Sequence, residues 1–193
     1  LRVHLKNTGT GASLDNLGLF YDRGDNNWRK VSKTSPVFTA NGSGCTNLLW
    51  TCTNVSADFS DYGAKSQLAY DKNGNPWIVS TQASINSNDL YVANYVGVGG
   101  NCASSKWNCD TVDNIGSSNT QASIQFDRSG TAYISKYDNN ATSLEIMKYV
   151  GSGGSGCSST DWTCTVVDNT GSVGNGSNLS VDLNNNPHIS YYD

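Results

Sequence analysis

Asn101-Cys102-Ala103-Ser104-Ser105-Lys106-Trp107-Asn108-Cys109 and Gly156-Cys157-Ser158-Ser159-Thr160-Asp161-Trp162-Thr163-Cys164 carry one spacing, Cys-x4-Trp-x-Cys, and Cys45, Trp50 and Cys52 carry it a third time. All six cysteines and three of the five tryptophans are used in it. The copies begin 57 residues (102 − 45) and then 55 residues (157 − 102) apart. A repeat of this length sets the architecture before any local signal does. Cysteines at the same place in every copy predict one local disulfide per copy, Cys45–Cys52, Cys102–Cys109 and Cys157–Cys164. Such bridges persist in an oxidising compartment. Closing so short a loop stabilises by roughly 2–3 kcal/mol in the chain-entropy view. Zinc is the competing reading. It fails on the Cys-x6-Cys spacing and on the scarcity of histidine, which occurs only at His4 and His188.

More than the cysteines recurs. Tyr149-Val150-Gly151-Ser152-Gly153-Gly154 repeats Tyr95-Val96-Gly97-Val98-Gly99-Gly100, with a degenerate form around Val37-Phe38 and Asn41–Gly44. Val112-Asp113-Asn114 repeats as Val167-Asp168-Asn169. Leu68–Asp71, Ile124–Asp127 and Leu179–Asp182 each run into a turn, and each turn runs into a strand at Pro76–Ser80, Ala132–Ser135 and Pro187–Ser190. The runs are rich in Val, Ile, Tyr, Trp and Thr, and Gly, Asn, Asp and Ser separate them. Each copy therefore predicts four short strands, near Leu68–Tyr70, Trp77–Ser80, Leu90–Val96 and Trp50–Val55 or their equivalents. Alternation places Leu68 and Tyr70 on one face and Ala69 on the other, and Leu68, Tyr70, Ile124, Phe126, Leu179 and Val181 are expected to line the first strands. No window keeps apolar residues at helical spacing.

Four strands per copy of about 50 residues predict an all-β fold of β-propeller type, with four-stranded blades stacked side by side. Residues 37–193 resemble secreted bacterial β-propeller repeats of the form S-L-x-x-D-x-x-G-x-P-x-I-S-Y-Y-D. They look distantly like the Asp-box repeats of sialidases. The gap in Asp71-x-x-Gly74 is one residue too long for that box, so no sialidase activity is carried over. Copies are expected at about 37–94, 95–148 and 149–193. Residues 1–36 are read as a degenerate first blade, with strands in Leu17–Asp22 and Trp28–Val31, or as the tail of a preceding β-domain. Copy three stops at Tyr192-Asp193, before an equivalent of Leu144–Tyr149. The expectation is an incomplete or fragmentary ring, continued by further sequence, by the N-terminal strands or by another chain.

The chain has 193 residues, a net charge of −4 and 15% charged residues. No basic face suited to nucleic acid is visible, and no apolar run approaches the ~20 residues of a membrane helix. The composition suits a secreted or surface-displayed protein.

Candidate chemistry sits at turns and strand ends. Asp71-x-Asn73-x-Asn75 and Asp182-x-Asn184-x-Asn186 have the alternating oxygens of a calcium loop. One carboxylate per loop suits a divalent ion poorly, so an Asx-turn is the expectation and calcium the alternative. No other cofactor or metal is implied. Asp113, Asn114, Asp138, Asp168, Asn169 and Asp193 recur at strand ends and are the candidate ligand-binding residues, for a glycan or a surface protein. Trp77, Tyr133 and His188 share one repeat position and are expected to pack between blades. No catalytic residue is singled out, because the repeated residues explain structure and no position visibly breaks the repeat with catalytic chemistry. The expected function is an extracellular binding or spacing module without catalysis. The alternatives are a fragment of a glycan-cleaving propeller hydrolase and a structural subunit of a surface layer or fibre.

Overall fold

In a computed structural model the described residues are 2–7, 17–22, 29–30, 52, 55, 62–82, 89–116 and 121–193. Chain contacts divide the protein into two compact units, Leu1–Thr53 and Asn54–Asp193. The first unit holds an antiparallel sheet of β1 (Arg2–Asn7), β2 (Leu17–Asp22) and β3 (Arg29–Lys30), with β2 in the middle. Residues 31–51 lie outside the described set, and with them Cys45 and Trp50.

The second unit follows the repeat. One four-stranded sheet is β4 (Tyr62–Tyr70), β5 (Pro76–Gln82), β6 (Asp89–Tyr95) and β7 (Trp107–Asn114), in chain order. The next is β8 (Ala122–Phe126), β9 (Ala132–Asp138), β10 (Ser143–Tyr149) and β11 (Trp162–Asp168), again in chain order. The third copy contributes β12 (Asn175–Val181) and β13 (Pro187–Tyr192). All pairs are antiparallel. There is no helix among the described residues.

Local chemistry explains the hairpins. Asp71 Oδ1 accepts the backbone N–H of Asn73 and of Asn75, each at 2.8 Å, and Asp182 Oδ1 accepts those of Asn184 and Asn186. Asp127 Oδ1 takes the N–H of Thr131. Gly74 and Gly130 then turn at positive φ, where a side chain would be strained. The cysteine element is the loop between the third and fourth strands. Cys102–Cys109 and Cys157–Cys164 are disulfides, each joining residues seven apart. Cys52 is also in a disulfide. Gly100 and Gly154 are needed in that loop because a Cβ there would run into the backbone carbonyl of Trp107 and of Trp162.

The sheets meet through their first strands, β4 beside β8 and β8 beside β12. Val79, Val92, Ile124, Ile134, Met147 and Trp162 fill the space between the first two sheets. Trp77 lies edge-on to Phe126 and to Tyr149, both at 5.4 Å, and Tyr149 lies edge-on to Trp162 at 5.2 Å. This is the expected packing role of Trp77. Tyr133 is half-buried and His188 is exposed.

One expectation is corrected. Ile124 and Leu179 are fully buried, but Leu68 is 50% and Tyr70 60% exposed. The strand is the same and so is its alternation. What buries Ile124 is the preceding sheet, and among the described residues no sheet of this unit precedes β4.

Two outcomes follow from this packing. Ile124→Ala should lower stability by about 2–5 kcal/mol in urea melts, whereas Leu68→Ala should change it far less. Reduction of the bridges should lower the melting temperature and leave the β-sheet circular dichroism signature intact, because the inter-sheet core does not depend on them.

Candidate functional site

The repeat places certain side chains at the seams between copies. Gln67 Oε1 accepts the backbone N–H of Ile124 at 2.6 Å, and Ser123 Oγ accepts that of Leu179 at 3.0 Å. Between turns, Lys72 Nζ donates to the carbonyl of Ser129, and Asn185 Oδ1 accepts the N–H of Arg128. The carbonyls of Val55 and Val112 accept the N–H groups of Ser104 and Ser159, one copy on in each case. Ser135 Oγ meets Ser177 Oγ, and the Tyr137 hydroxyl meets Ser172 Oγ.

The strand-end aspartates belong to this series. Asp113 reaches Lys136 in the next sheet, with Nζ to Oδ2 at 2.7 Å. Asp168, at the same repeat position, accepts the Tyr191 hydroxyl at 2.8 Å. Each pair spans 23 residues. Asp138 lies beside Asp113 on the same lysine, 3.0 Å from Nζ. Asn114 is one link further out. Its Oδ1 accepts from Asn140 Nδ2 and from the Gly116 N–H, and its Nδ2 donates to Asp89. Asp113, Asn114 and Asp138 are thus brought together. Asn169 and Asp193 are exposed and do not join them.

At the centre stands Lys136, whose side chain is 1% exposed. Its ammonium contacts Asp113, Asp138 and Glu145 at 2.7, 3.0 and 3.2 Å. Burial disfavours the charged amine. The hydrogen bond to Asp113 and the charges of Glu145 and Asp113 outweigh it, so the lysine's pKa is raised. Burial likewise opposes ionisation of Asp138. The N–H groups of Ala141 and Asn140 and the Lys136 charge overcome that and hold its carboxyl below the usual range. Asp113 Oδ1 accepts both the N–H and the hydroxyl of Ser158. An ammonium this buried has to be paired on every side.

Asp113, Glu145 and Cys164 also stand close enough to share a metal ion. The sulfur is tied in a disulfide and the lysine ammonium already occupies the carboxylates, so the cluster is a poor metal site. In the turns, Asp71 and Asp182 spend their oxygens on loop N–H groups, as the Asx-turn reading has it. Those bonds, offset slightly by desolvation, hold Asp182 well below the ordinary range.

The sequence reading missed Lys136 and Glu145. The signal was there. Lys136 stands where the other copies have Ser80 and Tyr191, and Glu145 is the only glutamate in the chain. Their chemistry does break the repeat, contrary to the expectation that no position does. Compared with known proteins, the chain matches no family model and no curated protein.

Lys136→Met should cost about 3–5 kcal/mol, since it leaves carboxylates buried without a partner. The lowered pKa of Asp138 sets a sign for pH. The stability it lends is present above the unfolded-state value near 4 and is lost as pH falls through the folded value. Asp138→Asn should flatten the acid limb of a pH-stability curve measured by urea unfolding.

Proposed function

We propose that the protein is a secreted or surface-displayed module of β-propeller type that binds a glycan or another protein and carries out no catalysis. The observation that supports this most is the burial of Lys136. The strongest concentration of ionisable groups in the described chain is closed to any substrate, and its acids point at the lysine instead of at solvent. Asp113 and Asp168 hold adjacent blades together. An enzyme built here would need an acid or base facing an open cleft.

What remains exposed at the strand-end rim is amide, hydroxyl and aromatic, with one carboxylate at Asp193. Asn114, Asn139, Asn140, Asn169, Thr170 and Tyr192 are exposed there. Such groups recognise hydroxylated ligands or a polar protein surface. The disulfides suit an oxidising, extracellular setting. No helix among the described residues is long and apolar enough to cross a membrane.

A panel of neutral and acidic polysaccharides tests the reading in two ways. Retardation in affinity electrophoresis with no release of reducing ends is the expected result. Release of reducing ends that survives Lys136→Met would establish a hydrolase and end the binding-module reading. If a glycan binds, Asn169→Ala with Thr170→Ala should weaken it at least severalfold without changing the melting temperature.

A further inference from the structure

We propose that the seam between the first two sheets is closed covalently, by an amide bond between Lys136 Nζ and the Asp113 side chain that the fold forms on its own. The ion cluster described above is the arrangement just before that bond.

The geometry supplies each part the reaction needs. The nucleophile is a single amine, fully enclosed, 2.7 Å from Asp113 Oδ2, so the carboxyl carbon is one bond beyond its nearest contact. The electrophile is polarised. Asp113 Oδ1 receives the Ser158 N–H at 3.2 Å and the Ser158 hydroxyl at 3.0 Å, two donors aimed at the oxygen on which charge builds as the amine adds. A proton carrier is present. Glu145 Oε2 is 3.2 Å from Nζ, and Glu145 and Asp113 offer oxygens within 4.8 Å of one another. Water is held back from the amine and the proton carrier. Lys136 and Glu145 are 1% and 8% exposed, and Cys164 Sγ of the Cys157–Cys164 bridge lies 4.0 Å from Asp113 Oδ2. Asp113 itself is half-buried and Ser158 is exposed.

Electrostatics oppose the first step. Against burial, the hydrogen bond to Asp113 and the charges of Glu145 and Asp113 raise the lysine's pKa, so the amine is freed only as Glu145, 3.2 Å away, takes its proton.

The step balances without any co-reactant. The ammonium gives a proton to Glu145. The free amine adds to the Asp113 carboxyl carbon, and the negative charge gathers on Oδ1, beside Ser158. Glu145 passes its proton to Oδ2, then takes a second proton from the nitrogen and passes that to Oδ2 as well. Oδ2 leaves as water, and the one proton left on nitrogen completes the neutral amide. Lys136 and Glu145 thereby account for themselves as the positions that depart from the repeat. Tyr191, in the place of Lys136 one copy on, has no amine and makes only a hydrogen bond to Asp168.

The test is the intact mass of the full wild-type chain, refolded, then reduced and denatured. The expected mass is lower than that of the sequence by one water, and tryptic peptides should contain a branched species joining Lys136 to Asp113, with no cleavage after Lys136. The full sequence mass with ordinary cleavage after Lys136 would overturn the proposal, as would a link to Asp138 or Glu145. Glu145→Gln should fold with the seam unlinked and show the mass of its own sequence, whereas Asp138→Asn should still lose water. A Glu145→Gln chain that links as fast as wild type would remove Glu145 from the reaction. The wild-type mass decides the matter even where a variant fails to fold.

Discussion

Everything in the second unit depends on one kind of contact, the hydrogen bond from one copy of the repeat to the next. A four-stranded antiparallel sheet of about 50 residues is too small to bury both its faces. It becomes stable when a neighbouring sheet covers it. The seam bonds fix how the neighbours meet. Gln67 and Ser123 take the outward N–H of the following first strand, a group with no strand partner on that side. These bonds therefore set register between sheets and relieve a buried donor that would otherwise cost free energy.

Given that register, the apolar core assembles around it. Val79 and Val92 meet Ile124, Ile134 and Met147, and Trp77 slots between Phe126 and Tyr149. The disulfide loops lie at the far side of each sheet, where the third strand turns into the fourth. They hold Trp107 and Trp162 at a fixed place, and the close passage of Gly100 and Gly154 against their backbone makes that loop compact. The bridges reinforce an arrangement whose main stabilisation is elsewhere.

The same constraint bears on function. An aspartate at a strand end is a plausible ligand group only while its oxygens are uncommitted. Asp113, Asp138 and Asp168 are committed to Lys136 and Tyr191. Under the proposed function, ligand contact falls to the exposed groups around them, Asp193 included, and the cationic centre is left to the fold. A buried ion cluster of this kind contributes little net stability relative to an apolar filling. Among the described residues it stands at one seam, and what its groups can do to one another explains that better than what they add to packing.

Much of this was legible in the chain. The strands follow from β-rich runs and period-two alternation. The hairpins follow from Asp, Asn and Gly at fixed offsets, and the bridges from cysteines seven residues apart. All of these are short-range, so neighbouring residues determine them. The tertiary structure decided what lies across the seams. Leu68 and Ile124 have the same local sequence environment, yet one is half exposed and the other buried, because burial depends on the sheet in front. Asp113 finds Lys136 and Asp168 finds Tyr191 across 23 residues, a meeting set by how two sheets stack. Alternation within a strand tells which face a side chain takes, but it carries no information about the partner that the next sheet brings to that face.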